Sequence, residues 1–181
     1  SLRSFLSYAQ PIIKLKTNLS FDLGYTFSRI PGILDSLSLF TLNHTISGGL
    51  GLSSNISDKI DYSISWRPNL NLAKSNSSQN SNNNFVNHAL KAKLNWIIIE
   101  GFVIRTDYTL SLFDYANNNS DQTLNILNVG IGKKIFKNQR GEITLAINDL
   151  LNQNSNINRN AYENFVQDIV TNSIQRFVML S

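Results

Sequence analysis

The chain alternates apolar and polar residues over several strand-length segments. In the clearest pair, apolar side chains dominate the even positions of Leu90–Trp96 and, after a break at Ile97–Gly101, of Phe102–Leu112. Polar side chains such as Lys93 and Arg105 fill the odd positions. Because successive side chains of a strand point to opposite faces, each segment predicts a β-strand with one apolar and one polar face. This alternation fits a soluble antiparallel sheet as well as a membrane barrel.

The same pattern predicts eight strands and the end of a ninth, and therefore an all-β fold. The eight segments are approximately Lys14–Ser28, Phe40–Ser53, Ile60–Leu72, Leu90–Trp96, Phe102–Leu112, Leu124–Phe136, Glu142–Asn148 and Ser173–Ser181. Ser1–Tyr8 has the pattern of a further strand that turns at Gln10 and Pro11. Glycines at 48, 49 and 51 indicate a bend or a close approach of neighbouring atoms.

The connections between these segments alternate between long and short. The long ones are Arg29–Leu39, Ala73–Asn84, Asp114–Asp121 and Asn152–Asn172, and the short ones are Asn55–Lys59, Ile97–Gly101 and Lys137–Gly141. In an up-and-down barrel successive connections fall on opposite rims, and outer-membrane barrels keep tight turns on one side and long loops on the other. The alternation therefore favours an antiparallel up-and-down transmembrane β-barrel over a soluble β-sandwich with Greek-key connections.

Composition narrows the alternatives further. The 181 residues include no Cys, which excludes a disulfide framework and a thiolate metal site. No apolar run approaches the roughly 20 residues of a membrane-spanning helix. The net charge is +4, and the basic residues are spread singly along the strands. Because they form no stripe with interleaved aromatics, the sequence does not predict nucleic-acid binding. Aromatics lie near both predicted rims, with Trp96, Phe102 and Phe136 at the short turns and Phe27, Phe85, Phe113 and Tyr115 at the long loops, as in two aromatic belts.

Four stretches carry a resemblance to a known family. They are GLGLSSNISDKIDYSISW at Gly49–Trp66, LNWIIIEGFVIRTDY at Leu94–Tyr108, GKKIFKNQRGEITLAINDLLNQN at Gly132–Asn154 and NSIQRFVML at Asn172–Leu180. From about Phe21 to Ser181 the chain resembles the carboxyl-terminal part of TonB-dependent-receptor-like outer-membrane β-barrel proteins of the Bacteroidetes type. The third stretch is the most specific, since it combines three features in order. They are a tight basic turn, a strand, and the step Asp149–Asn152, which leads into a long loop.

This resemblance implies a function and a set of partners. The expected function is to form the barrel wall of a receptor or transporter for TonB-dependent-type uptake of an unidentified substrate, in the bacterial outer membrane. The expected partners are outer-membrane lipid, the remainder of a larger barrel with its plug domain, and a TonB-type energy-coupling protein. Residues 1–181 are expected to be the carboxyl-terminal portion of that barrel domain, a section of about eight or nine strands without a second domain. The alternatives are a small closed barrel acting as a pore, adhesin or barrel-borne enzyme, and a soluble β-sandwich binding module.

No catalytic, cofactor-binding or metal site is predicted, and the chain is not expected to be an enzyme. His44 and His88 lie on separate segments without a second ligand at motif spacing. An enzyme site at the long-loop rim would have to combine His88 with Asp114 and Asp121. The candidate ligand contacts are on the longest loop, where polar and aromatic side chains mix; they are Arg159, Tyr162, Glu163 and Phe165.

Charged side chains on the polar face bear on the size of the barrel. Eight or nine strands close only a narrow barrel, whose interior is filled by side chains. Long charged groups fit better along a wide hydrated lumen with a plug to pair against; they are Lys16, Asp22, Lys91, Lys93, Arg105 and Asp107.

Overall fold

Eleven strands and one short turn of 3-10 helix make up the secondary structure. The structure, a computed structural model, describes residues 1–34, 37–57, 59–76, 84–98, 101–115, 122–136, 140–153, 157–161, 166–170 and 175–181. The strands are β1 (Leu2–Ile12), β2 (Thr17–Leu34), β3 (Leu37–Ser57), β4 (Ile60–Ser75), β5 (Phe85–Ile97), β6 (Phe102–Tyr115), β7 (Gln122–Ile135), β8 (Gly141–Asn148), β9 (Ile157–Ala161), β10 (Val166–Val170) and β11 (Phe177–Leu180). The 3-10 turn covers Ile13–Leu15. Within the described ranges, no helix is long and apolar enough to cross a membrane.

Nine of these strands form one antiparallel sheet in the order in which they occur in the chain. That order is β1-β2-β3-β4-β5-β6-β7-β8-β11, and β9 and β10 form a separate two-stranded hairpin. The predicted all-β, up-and-down architecture is confirmed, including the ninth strand at the amino-terminal end. The described strands do not divide into two facing sheets, so they do not form a β-sandwich. Nor does β1 pair with β11 in the described part, so the sheet is open, which is consistent with a section of a barrel.

Three boundaries differ from the predicted ones. The predicted long connection at Arg29–Leu39 is mostly strand, because β2 and β3 stay paired as far as Leu34 and Leu37. The predicted turn at Gln10 and Pro11 is strand too, and the chain turns at the 3-10 segment and at Lys16, which adopts a left-handed φ of 47°. The predicted loop Asn152–Asn172 contains the β9–β10 hairpin.

Pro31 accounts for the first difference and Pro11 for the second. In the sequence, each proline suggests a break in a strand, since proline cannot donate a ladder hydrogen bond. Pro11 lies in β1, which pairs only with β2, and Pro31 lies where β2 has extended beyond its last β1 partner, Phe27. Both prolines therefore occupy sheet edges, where the missing donor is tolerated.

The strand register collects the apolar side chains onto one face, which we call the apolar face. One row of direct cross-strand partners runs Tyr8, Phe21, Leu50, Trp66, Leu90 and Leu110. Phe21, Leu50 and Trp66 remain 39, 45 and 40% exposed, so nothing among the described residues covers this face. The only buried hydrophobic residues in the described part are Ala73 and Val103, and the sheet therefore has no enclosed core.

The two ends of the sheet differ in their connections. The short-turn rim holds the connections from β1 to β2, β3 to β4, β5 to β6 and β7 to β8. The long-loop rim holds those from β2 to β3, β4 to β5 and β6 to β7, of which the first is only two residues long, so the predicted alternation of long and short connections is broken there. At the short-turn rim, Trp96 and Phe102 lie on the apolar face as predicted. At the long-loop rim the prediction is partly wrong, because the register puts Phe85 and Phe113 on the opposite face. Tyr25, Phe27 and Phe40 are the aromatics of the apolar face there.

Candidate functional site

Charged and amide side chains concentrate on the other face of the sheet, which we call the polar face. Its charged members are Arg3, Asp22, Asp61, Arg67, Lys91, Lys93, Arg105, Asp107, Lys134 and Glu142. Three ion pairs join six of these groups to each other. These six charged groups therefore have partners within the sheet and do not require a plug to pair with them, contrary to the expectation from the sequence.

The simplest ion pair joins Lys93 of β5 to Asp107 of β6. These residues are direct cross-strand partners, and Lys93 Nζ lies 3.0 Å from Asp107 Oδ2. Both side chains are exposed to a large extent, and such pairs contribute about 0.2–1 kcal/mol to stability. The pair fixes the position of two opposite charges more than it stabilises the fold.

A second ion pair joins Arg105 of β6 to Glu142 of β8 and so crosses the strand between them. The Arg105 guanidinium donates to both carboxylate oxygens of Glu142, with Nη2 3.0 Å from Oε2. The Thr144 hydroxyl donates to Glu142 Oε1 at 2.9 Å. A bidentate guanidinium–carboxylate pair of this kind is directional as well as electrostatic.

The strand crossed by this pair carries glycine where the two side chains meet. A Cβ at Gly132 of β7 would clash with the Glu142 carboxylate and would lie 3.2 Å from Thr144 Oγ1. At Gly130, two residues away on the same face, a Cβ would meet no atom closer than 3.7 Å. Gly132 therefore leaves the space that Glu142 needs to reach Arg105.

The third ion pair repeats this arrangement on the other half of the sheet. Asp22 of β2 lies opposite Gly49 of β3, and Arg67 Nη2 of β4 lies 3.9 Å from Asp22 Oδ2. A Cβ at Gly49 would lie 2.8 Å from Asp22 Oδ2. The Ser7 hydroxyl donates to Asp22 Oδ1 at 3.0 Å. The predicted close approach at the glycines of β3 is confirmed.

A groove of about 430 Å³ runs over the polar face from β4 to β8. Its lining includes Asp61, Lys93, Arg105 and Asp107 together with the amides of Asn95 and Asn128. No ion pair of the described residues includes Lys91, which lies on the same face. The groove thus presents charges of both signs and neutral amides to whatever lies against this face.

Asn128 also anchors the segment that follows β8. The Asp149 N–H donates to Asn128 Oδ1 at 2.9 Å, and the Leu150 N–H donates to the carbonyl of Leu127 at 2.7 Å. Asp149 is buried, has a φ of 51° and accepts the Gln153 N–H on Oδ1 at 3.1 Å. The step Asp149–Asn152 therefore ends β8 and fixes the departing chain to β7.

The predicted loop contacts fall largely beyond what the structure describes. Arg159 lies in β9, where its backbone partner is Asp168 of β10. Tyr162, Glu163 and Phe165 lie outside the described residues. These four residues stay a prediction.

Both histidines lie on the apolar face, on the other side of the sheet from the three ion pairs. His44 Nδ1 is hydrogen-bonded to Tyr25 Oη at 2.8 Å, and its ring lies 4.9 Å from that of Phe27. His88 stacks on Trp66 with ring centroids 5.9 Å apart. Asp114 pairs with Val86 in the ladder while His88 pairs with Leu112, so the two are diagonal neighbours, and Asp121 lies outside the described residues.

Among the described residues, no three His, Asp or Glu side chains lie close enough together to hold a metal ion.

The ion pairs across glycine were not predicted from the sequence, since they depend on which strands are neighbours and in which register. Gly132, flanked by larger residues along β7, is the sequence signal that would have indicated the Arg105–Glu142 pair. Comparison of this chain with protein-family models, with curated proteins and with solved structures finds no match.

Proposed function

We propose that this chain forms part of the wall of a transmembrane β-barrel in a bacterial outer membrane. The observation that carries the proposal is the apolar face, which extends across nine strands and is covered by no described residue. Soluble monomers rarely expose a contiguous apolar surface of this extent. A bilayer provides an apolar surrounding for such a face, and the wall of a barrel is the form in which strands cross it.

The charges of the apolar face support the same proposal. In the described strands they occur only near the strand ends: Arg29, Lys74 and Asp114 at the long-loop rim and Lys133 at the short-turn rim. Lys133 Nζ lies 3.9 Å from the centroid of the Phe102 ring, and Arg29 Cζ lies 4.5 Å from that of Phe40. Cations and aromatics at both ends of an apolar band are typical of membrane–water interfaces.

The polar face supplies the second half of the proposed function. As the lining of a hydrated lumen, its paired charges and its groove of about 430 Å³ would contact a substrate on its way through the barrel. The assignment to TonB-dependent-type uptake, with a plug domain and an energy-coupling protein as partners, rests on the resemblance of the sequence.

Cryo-electron microscopy of the complete gene product in nanodiscs tests the proposal. We expect a closed barrel around a plug, with β1 to β8 and β11 as neighbouring strands of its wall. A water-soluble particle would overturn the membrane assignment. A closed barrel without a plug would leave the wall in place and overturn the TonB-dependent receptor.

A further inference from the structure

Two cations flank a leucine on the apolar face at the long-loop rim. Arg29 of β2 pairs with Leu42 of β3, and Leu42 pairs with Lys74 of β4. Neighbouring strands lie about 4.8 Å apart, so the backbones of the two cations are roughly 10 Å apart. The next row toward the middle of the face is Phe27, His44 and Leu72. The face therefore changes from aliphatic to aromatic to cationic over two rows.

The charges of Arg29 and Lys74 have no acidic partner in the part of the chain that the structure describes. Both side chains are exposed, and the Arg29 guanidinium lies over the Phe40 ring, a contact that leaves its charge in place. On the same face, the Tyr25 hydroxyl and His44 Nδ1 are hydrogen-bonded to each other.

A cavity lies beside Lys74 and is bounded by Leu42, the cross-strand partner of Arg29. It has a volume of about 270 Å³ and is lined by Leu42, His44, Leu72, Ala73, Lys74 and Asn84. Its floor is therefore largely apolar, and its cationic edge faces the long-loop rim. An amphiphile with an anionic head and an alkyl chain matches both parts.

We propose that Arg29 and Lys74 bind the headgroup phosphate of an anionic lipid, whose acyl chain lies along Leu42 and Leu72. The inference rests on the proposed function, because it requires the apolar face to be in contact with lipid. Guanidinium and ammonium groups are the usual partners of phosphate, and each basic residue near an anionic membrane surface contributes about 1 kcal/mol. The bound lipid would set the depth at which this part of the wall rests in the bilayer.

Lipid retention by the full chain in detergent micelles tests this site. Native mass spectrometry compares dimyristoylphosphatidic acid with dimyristoylglycerol, which has the same chains and no phosphate. We expect the wild type to retain the acid preferentially and Arg29→Gln/Lys74→Gln to lower that preference about 30-fold. The matched control is Arg3→Gln/Lys91→Gln, which removes the same two residue types from the polar face and should leave the preference unchanged.

Three results would overturn the site. They are equal retention of both lipids by the wild type, an equal loss in the two double variants, and displacement of the phosphatidic acid by millimolar inorganic phosphate, which would indicate a site for a free anion. Failure of the proposed function looks different, since the chain would then stay monomeric without detergent and retain neither lipid. A chain that needs detergent and retains both lipids equally would contradict only the phosphate site.

Discussion

Single residues decide how charge is arranged on the polar face. Glycine in a strand interior usually weakens a sheet, since it has no side chain to pack. Here Gly49 and Gly132 remove a side chain where a carboxylate lies over the backbone, and Asp22 and Glu142 each reach toward a basic residue on a further strand. The glycines therefore allow ion pairs between strands that are two positions apart in the sheet, and not only between direct neighbours.

The substitution Gly132→Ala tests this role. The added methyl group would displace the Glu142 carboxylate from Arg105, whereas Gly130→Ala adds the same group to the same strand without a close contact. We expect Gly132→Ala to lower the free energy of unfolding by about 1 kcal/mol relative to Gly130→Ala, the upper range for a partly exposed ion pair. Urea unfolding of the two variants in micelles measures the difference, and equal stabilities would contradict the role of Gly132.

At the scale of the elements, two hydrogen bonds hold the segment after β8 to β7, and one of them is accepted by the side-chain amide of Asn128. The Asp149 N–H belongs to a buried residue and donates to Asn128 Oδ1. The next contacts along the chain lead to β11, since the Arg176 N–H donates to Asn152 Oδ1 at 3.4 Å. β11 pairs with β8 over four residues, and Ser181 exchanges two further backbone hydrogen bonds with Thr144. The Asp149–Asn152 segment adds a contact at the other end of this short ladder.

Replacing Asn128 by Ala should loosen this segment. It leaves a buried N–H without its acceptor, which costs about 1–3 kcal/mol. Hydrogen exchange should become faster at Asp149 and in β11 and stay unchanged in β4. Asn95→Ala, on the same face, is the control and should leave exchange in β11 as it is. Unchanged exchange at Asp149 in Asn128→Ala would show that the amide does not hold the segment.

The strands were largely predictable from the sequence, and their ends and cross-strand partners were not. Alternation identifies a strand such as Phe102–Tyr115 because it depends only on neighbours in the chain. The extension of β2 through Pro31 depends on pairing with β3, which outweighs the local tendency of proline to end a strand. The position of Phe113 on the polar face, in contrast, follows from alternation alone, since it is the next residue after Leu112 in a continuous strand. The side chains of the predicted loop site, Arg159 to Phe165, remain untested.

For the whole molecule, strand direction limits how the sheet closes. Eight antiparallel pairings connect β1 to β11, so these two edge strands run in the same direction. Closing the sheet on itself would need a parallel pair, unlike every other pair in it. We expect the closed barrel to contain an odd number of additional strands, and the strand count in a nanodisc reconstruction checks this. A nine-stranded barrel with β1 beside β11 would contradict it.

If the apolar face is in contact with lipid, an added charge should destabilise the fold more in the middle row of that face than near a rim. Leu50 lies in the middle row and Leu72 lies two residues from Lys74, yet their exposed fractions are similar at 45 and 38%. In a bilayer, lysine near the midplane of a barrel costs about 2–4 kcal/mol and near the interface about 0–1 kcal/mol. We expect Leu50→Lys to reduce folding into lipid vesicles strongly and Leu72→Lys to reduce it little. Equal effects would indicate that both positions face water.

The most direct test of the membrane wall uses the two tryptophans of the chain, Trp66 and Trp96, which both lie on the apolar face. Trp66 belongs to the middle row and Trp96 lies next to the short-turn rim. Fluorescence of Trp96→Phe and Trp66→Phe variants, each with one tryptophan, is measured in vesicles of lipids brominated at different depths. We predict that mid-chain bromines quench Trp66 most and that bromines near the headgroup quench Trp96 most. Quenching of both by acrylamide in water, with none by brominated lipid, would contradict a lipid-facing wall.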